Sequence, residues 1–227
     1  MSPELPPKTI IYVDGFNLYH GRLAHTAYKW LDLKRLFSFM FIQNEIVAIK
    51  YFSAQIEPDL LDPDKRKRQM TYWAALRTTP GLSIIEGRFR TRNRTAFLAD
   101  TRFPDKGVIL LDAHRKPTRV DIVRVEEKGS DVNLAVHLVA DAYENRYETA
   151  IVISNDSDLV GAVLIAKSRG KKVGIANPHP ADRRSKQLEA IADFYREEIR
   201  ASYLVKSLFP PRVKTNSGTW INKPAGW

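Results

Sequence analysis

The stretch ETAIVISNDSDLVGAVLIAKSRGKKVGIANP, residues 148–178, decides the fold. Its opening run, Thr149–Ile153, is apolar and β-branched on both faces, as in a parallel strand covered from both sides. The polar cluster Ser154, Asn155, Asp156, Ser157 and Asp158 falls where such a strand ends. A helical pattern follows, Gly170 closes it, and a second strand runs over Lys172–Ala176. Strand, helix and strand in this order form one β-α-β unit. Two carboxylates therefore emerge at a carboxyl-terminal strand edge, where ligands of open parallel sheets sit. Two acids separated by one residue repel each other unless a cation lies between them. A plainer purpose is also open, because Asn155 or Asp156 can cap the helix and Asp158 can favour its dipole.

A second strand ends in the same way. Thr9–Val13 is a short apolar run followed at once by Asp14, Gly15, Phe16 and Asn17, with a helical start at Leu18–Ala24. Gly15 permits the tight turn, and Asp14 stands at the same sheet edge as Asp156, either as a site carboxylate or as a cap. Working outward, Asp32–Met40 reads as a helix, Glu45–Ala54 as a third strand, Asp62–Thr78 as a helix with a basic turn at Lys65–Arg68, and Leu82–Arg88 as a fourth strand. Asp131 enters the first turn of a helix over Val132–Tyr143 whose apolar positions 132, 135, 136, 139 and 142 share one face. Asp182–Phe194 and Arg196–Leu208 are helical in pattern.

Between Phe89 and Arg119 no steady period appears and basic residues dominate. Gly107–Leu111 and Arg119–Val125 are strand-like, which suggests a hairpin in this basic insertion. Arg88, Arg90, Arg92 and Arg94 alternate, so an extended segment sets them on one side, about 6 to 7 Å apart. That spacing suits either a nucleic-acid backbone or a strand edge protected by charge. Lys128, ahead of the Asp131 helix, is a further candidate for a phosphate oxygen.

The expected organisation is an arm at 1–8, a single domain at 9–208 with the insertion near 89–119, and a Pro/Trp-containing tail at 209–227. Its fold class is α/β, a doubly wound, mainly parallel five-stranded sheet with helices on both faces. With 227 residues and 44% hydrophobic content, one substantial core is expected. There are no cysteines, so disulfides and thiolate ligands are excluded and any metal is held by oxygen or imidazole. A hard cation, Mg²⁺ or Mn²⁺, follows. A formal charge of +10 favours a polyanionic partner, and no segment approaches the length needed to span a bilayer, so a cytoplasmic protein is expected.

Three motifs carry a resemblance. Tyr12-Val13-Asp14-Gly15-Phe16-Asn17-Leu18, Lys128-Gly129-Ser130-Asp131-Val132 and Ser154-Asn155-Asp156-Ser157-Asp158-Leu159 resemble, in order, those of NYN domains of the LabA type, a branch of the PIN-like nucleases. The resemblance implies a PIN-like fold and a metal-dependent ribonuclease acting on RNA. It implies Asp14, Asp131, Asp156 and Asp158 as ligands of Mg²⁺ or Mn²⁺, with Asn17 and Ser154 as polar support. Two positions depart from the pattern. Asn155 stands for the usual glycine, a change expected to affect only the turn, and His137 stands for an acid commonly found six residues after the helix aspartate.

Other readings start from the same residues. A haloacid dehalogenase-type phosphotransfer enzyme wants an acid where Phe16 stands. A Mn²⁺-dependent glycosyltransferase would use Asp156-Ser157-Asp158 to hold a nucleotide diphosphate. A non-catalytic RNA-binding or toxin-like regulatory module would keep the acids for structure. Endo- versus exonuclease action and homodimerisation are left open by the sequence.

Overall fold

A computed structural model of the chain describes residues 5–57, 61–102 and 107–227. Its strands are β1 (Lys8–Asp14), β2 (Glu45–Ala54), β3 (Leu82–Phe97), β4 (Arg119–Lys128), β5 (Thr149–Ile153), β6 (Lys172–Ala176) and β7 (Phe194–Arg196), hydrogen-bonded in the order β4-β3-β2-β1-β5-β6-β7. The ladders β3-β2, β2-β1, β1-β5, β5-β6 and β6-β7 are all parallel. The sheet thus has seven strands rather than the expected five. One of the two additions is β4, which the sequence pattern places in a hairpin apart from the sheet. The other is the three-residue β7, too short to show a period. Its Phe194 ring lies over Gly174, where a Cβ would meet ring carbons at 2.0 to 2.6 Å. The helix expected over Asp182–Phe194 is confined to α6 (Lys186–Ile191), capped by the Ser185 hydroxyl.

Two compact units result, one from residues up to Arg88 and from Gly129 onward, the other an arm from Phe89 to Lys128. In the larger unit the central strand alternates strictly between two cores. Ile11 and Val13 point to a layer containing Leu36 and Phe37 of α2 (Leu33–Met40), Trp73 of α3 (Lys65–Leu76) and Leu204 of α7 (Ala201–Lys206). Ile10 and Tyr12 point to the opposite layer, with Leu134 and Leu138 of α4 (Ser130–Tyr143), Val163 of α5 (Val160–Ser168) and Leu188 of α6. Period-two alternation of apolar residues in strands covered on both faces is what makes this sheet doubly wound.

The segment beyond Pro210 folds against the first of these cores. β8 (Arg212–Lys214) and β9 (Trp220–Asn222) form an antiparallel hairpin. Val213, Ile221 and Trp227 pack on the core, Trp227 meets Tyr72 edge-on at 5.9 Å, and Trp30 Nε1 donates to the Pro210 carbonyl at 2.8 Å. No helix among the described residues is long and apolar enough to cross a membrane.

In the arm, β3 continues past Arg88 to Phe97 and β4 lies beside it, with Thr95 donating to Asp121 at 2.9 Å. The strand-like stretch near Gly107–Leu111 makes only isolated bridges, Ala99 to Ile109 and Leu111 to Pro117.

Candidate functional site

Asp14 ends β1 at the centre of the sheet and is 4% exposed. Its Oδ1 accepts the Asn17 N–H at 2.9 Å, which caps α1 (Gly15–Leu18), and its Oδ2 accepts the Ser154 hydroxyl at 3.0 Å. The cap and the site carboxylate are one residue. The turn needs glycine at 15, because a Cβ there would come within 2.6 Å of the Tyr51 ring and 2.8 Å of the Phe52 carbonyl. From Ser154 the links continue along the chain. Ser154 Oγ accepts the Asp156 N–H at 3.1 Å, and Asp156 Oδ1 accepts the Asp158 N–H at 3.0 Å, capping a 3-10 turn over Ser157–Leu159 that runs into α5.

Burial pushes the Asp14 carboxyl up to about 6. The charges of Asp131 and Asp156 add to the rise, and the hydrogen bonds from Asn17 and Ser154 act against it. Asp131 is exposed in the first turn of α4, directly after Gly129, whose φ of 100° is open to glycine at little strain. Asp14 and Asp156 lie at the carboxyl edge of β1 and β5, and Asp131 and Asp156 are near enough for their charges to act on Asp14; this acidic edge is the candidate crevice. Asp158 is exposed beside it.

The donor set bears on what such a crevice can hold. Among the described residues no three His, Asp or Glu side chains stand close enough to grip an ion together. A closed cage of four carboxylates is therefore not what these residues form. The donors present are all hard oxygen, a set that would suit Mg²⁺ or Mn²⁺ held by one or two of these carboxylates.

Asn155 does more than alter the turn. Its Oδ1 accepts the Ser185 N–H at 2.6 Å and its Nδ2 donates to the Arg183 carbonyl at 2.7 Å, tying the loop before α6 to the acidic turn. A glycine has no side chain for either bond. His137 lies on α4 over Phe52, ring centroids 5.6 Å apart, with its Nδ1 3.3 Å from Lys50 Nζ.

Two residues escape the sequence pattern. Asp141, also on α4, is buried and receives Lys50 Nζ at 2.5 Å and the Tyr12 hydroxyl at 2.6 Å. Its signal is faint, an acid at position 141 within an apolar helical stretch. His179 reaches the site from the loop after β6, where its Nε2 lies 2.9 Å from Asn17 Oδ1. The run Asn177-Pro178-His179-Pro180 could have found it, because it follows a parallel strand at the same carboxyl edge as Asp14 and Asp156.

In the strand β3, Arg88, Arg90, Arg92 and Arg94 are exposed at alternate positions and Phe89 is half-buried. Lys128 ends β4 and pairs with Glu126 at 3.1 Å.

The chain is 30% identical over 248 residues to 6-hydroxy-3-succinoylpyridine 3-monooxygenase HspA of Pseudomonas putida (strain DSM 28022 / S16), covering 96% of this chain and 77% of that protein. A crystal structure of a protein of unknown function from Vibrio parahaemolyticus RIMD 2210633 shares the fold, with a TM-score of 0.50 at 17% identity over 92% of this chain and 100% of that one. The model of the NYN domain matches residues 8–197, a span that holds β1 through β7 and every residue of the acidic crevice, and the chain belongs to the NYN domain family.

Proposed function

We propose that this NYN domain protein is a metal-dependent ribonuclease of the PIN-like, LabA type, hydrolysing RNA phosphodiesters. The observation that carries the reading is Asp14, a carboxyl buried at the carboxyl edge of the central strand and held there under the charges of Asp131 and Asp156. Like charges gathered in one crevice oppose folding, and a divalent cation relieves that opposition. Asp14, Asp131, Asp156 and Asp158 are the residues to hold Mg²⁺ or Mn²⁺, directly or through water. Bound there, such an ion supplies neutralisation of charge at a scissile phosphate and acidification of water. The chain's own residues do the rest. The Ser154 hydroxyl and the Asn17 N–H fix both oxygens of Asp14, the 3-10 turn fixes Asp156, and the arginines of β3 offer cations to the RNA backbone.

Incubation of the full chain with mixed structured and unstructured RNA in Mg²⁺, Mn²⁺ or EDTA tests this. Cleavage is expected with either ion, is abolished by EDTA, and falls by orders of magnitude in Asp14→Asn and Asp156→Asn. Activity that persists in EDTA overturns the assignment.

A second reading has its own observation, the 30% identity to a protein named as a monooxygenase over 96% of the chain. On that reading the substrate is an aromatic acid of the 6-hydroxy-3-succinoylpyridine kind. Oxygen uptake that depends on that pyridine in the presence of an electron donor, in protein that leaves RNA intact, selects this reading over the first.

A further inference from the structure

The amide of Asn17 has only one orientation open to it. The backbone N–H of Asn155 can act only as a donor, and it meets Asn17 Oδ1 at 3.2 Å, so that atom is the oxygen. His179 Nε2 meets the same oxygen at 2.9 Å and therefore carries a hydrogen. With two donors on the oxygen, the other end of the amide, Nδ2 with its two N–H bonds, takes no partner among the described residues. Asn17 is half-buried, and its backbone N–H is capped by Asp14, so the residue itself is tied to the acidic edge.

His179 is itself held from two directions. Its backbone N–H donates at 2.9 Å to Oδ1 of Asn177, a fully buried residue whose Nδ2 in turn donates to the Glu197 carbonyl at 2.9 Å. On the other side, α1 runs on into a π-helical turn over Tyr19–Leu23 that brings Gly21 against the loop. A Cβ on Gly21 would lie 2.9 Å from the Pro178 carbonyl oxygen and 3.0 Å from His179 Cδ2. Turns of this kind recur at functional sites.

We propose that His179 is a positioning residue: with the Asn155 N–H it clamps the Asn17 amide so that the Asn17 NH₂ group is presented to a phosphate oxygen of RNA in the crevice. The proposal rests on the ribonuclease reading for the identity of the phosphate, and on the hydrogen-bond geometry alone for the clamp. A donor fixed in advance needs no reorganisation when charge develops on the phosphate. Burial, with Arg183 and His20 nearby, holds His179 below the usual histidine range, so it serves as a neutral donor through Nε2–H.

The test compares His179→Phe, which keeps the ring and removes the donor, with His179→Gln, whose amide N–H can replace it, each alone and the first also combined with Asn17→Ala. On a short single-stranded RNA with Mn²⁺, His179→Phe is expected to lower kcat about tenfold to a hundredfold with KM within about twofold. His179→Gln recovers activity to within about threefold with an unchanged pH–rate profile. In the Asn17→Ala background the phenylalanine change costs less than about twofold, since its route of action is gone. A glutamine variant as poor as the phenylalanine one, a full loss on top of Asn17→Ala, or a pH limb that vanishes in His179→Gln overturns the proposal. A second readout needs no turnover. The ¹H–¹⁵N pair of the Asn17 side-chain amide should be dispersed in wild type and His179→Gln and collapse toward the free-amide position in His179→Phe. If wild type leaves RNA intact while the pair behaves in this way, the ribonuclease reading fails and the clamp stands. A pair indifferent to His179→Phe overturns the clamp whatever the RNA does.

Discussion

At neutral pH the buried carboxyl of Asp14 is ionised only against resistance, since burial has moved it from 3.8 to about 6. The folded protein holds this proton more tightly than the unfolded chain does. The associated stability is therefore full below about pH 3.8 and is lost as pH rises through about 6, a loss of roughly 3 kcal/mol for a shift of this size. Asp14→Asn should abolish that window. The amide oxygen can still cap Asn17, and the amide nitrogen can donate to Ser154 Oγ. In EDTA at pH 8 the variant is expected to unfold at higher urea than wild type by about 1 to 3 kcal/mol, and a less stable variant would mark Asp14 as an anchor rather than a strained acid. The buried Asp141 predicts the opposite sign. Lys50→Met leaves that carboxylate with the Tyr12 hydroxyl and an Arg146 Nε 3.8 Å away, and should lower stability by about 3 to 5 kcal/mol in thermal or urea melts. The contrast also explains what the sequence discloses. Asp14 and Asp156 are legible because each follows an apolar β-branched run, a signal carried by neighbours in the chain. Asp141 and His179 are not, because their meaning comes from Lys50, Tyr12 and Asn17, residues more than 90 positions away that only the fold brings near.

At the scale of elements, the arm carries its own test. Because Arg90, Arg92 and Arg94 share one side of an exposed strand, their joint replacement by alanine should weaken RNA binding about equally across sequences. The salt dependence of log K should flatten by roughly 0.7 for each phosphate of a single strand that is no longer neutralised. Hydrolysis of a short model phosphodiester should survive, since no crevice residue changes. An unchanged affinity and salt slope would shift attention to Lys65–Arg68 at the start of α3. Apolar alternation ends at Arg88, where the sequence pattern therefore stops β3, yet alternating Arg with Phe89, Thr91 and Asn93 still has a strand's period of two. Helix ends are legible where a side chain nearby in the chain caps them, as Asp32 caps α2 through the Arg35 N–H at 3.1 Å. At α6 the local Ser185 cap is there to be read, yet where the approach to it runs is set by Asn155 from another segment, which accepts the Ser185 N–H.

For the whole molecule, the two cores and the hairpin that closes one of them predict how the chain fails. Truncation after Pro210 removes Val213, Ile221 and Trp227 from the layer that contains Trp30 and Tyr72, and should lower the melting midpoint by several degrees. A truncated chain that melts with the full one would make the hairpin an ornament of the fold. The doubly wound class is legible from strand patterns alone, while the strand count is not, since β7 owes its place to Gly174 and to ladder partners rather than to its own three residues.

The order of the strands also sets a timetable. β1, made first, lies between β2 and β5, and its Asp14 closes on Ser154 across 140 residues of chain. At about 5 to 20 residues per second, ribosomal synthesis leaves the first carboxylate without its partner for roughly 7 to 30 seconds. If the chain is the ribonuclease proposed above, it is tethered through that interval to an RNA that it cannot yet attack, because the residues that would complete the crevice have not been translated.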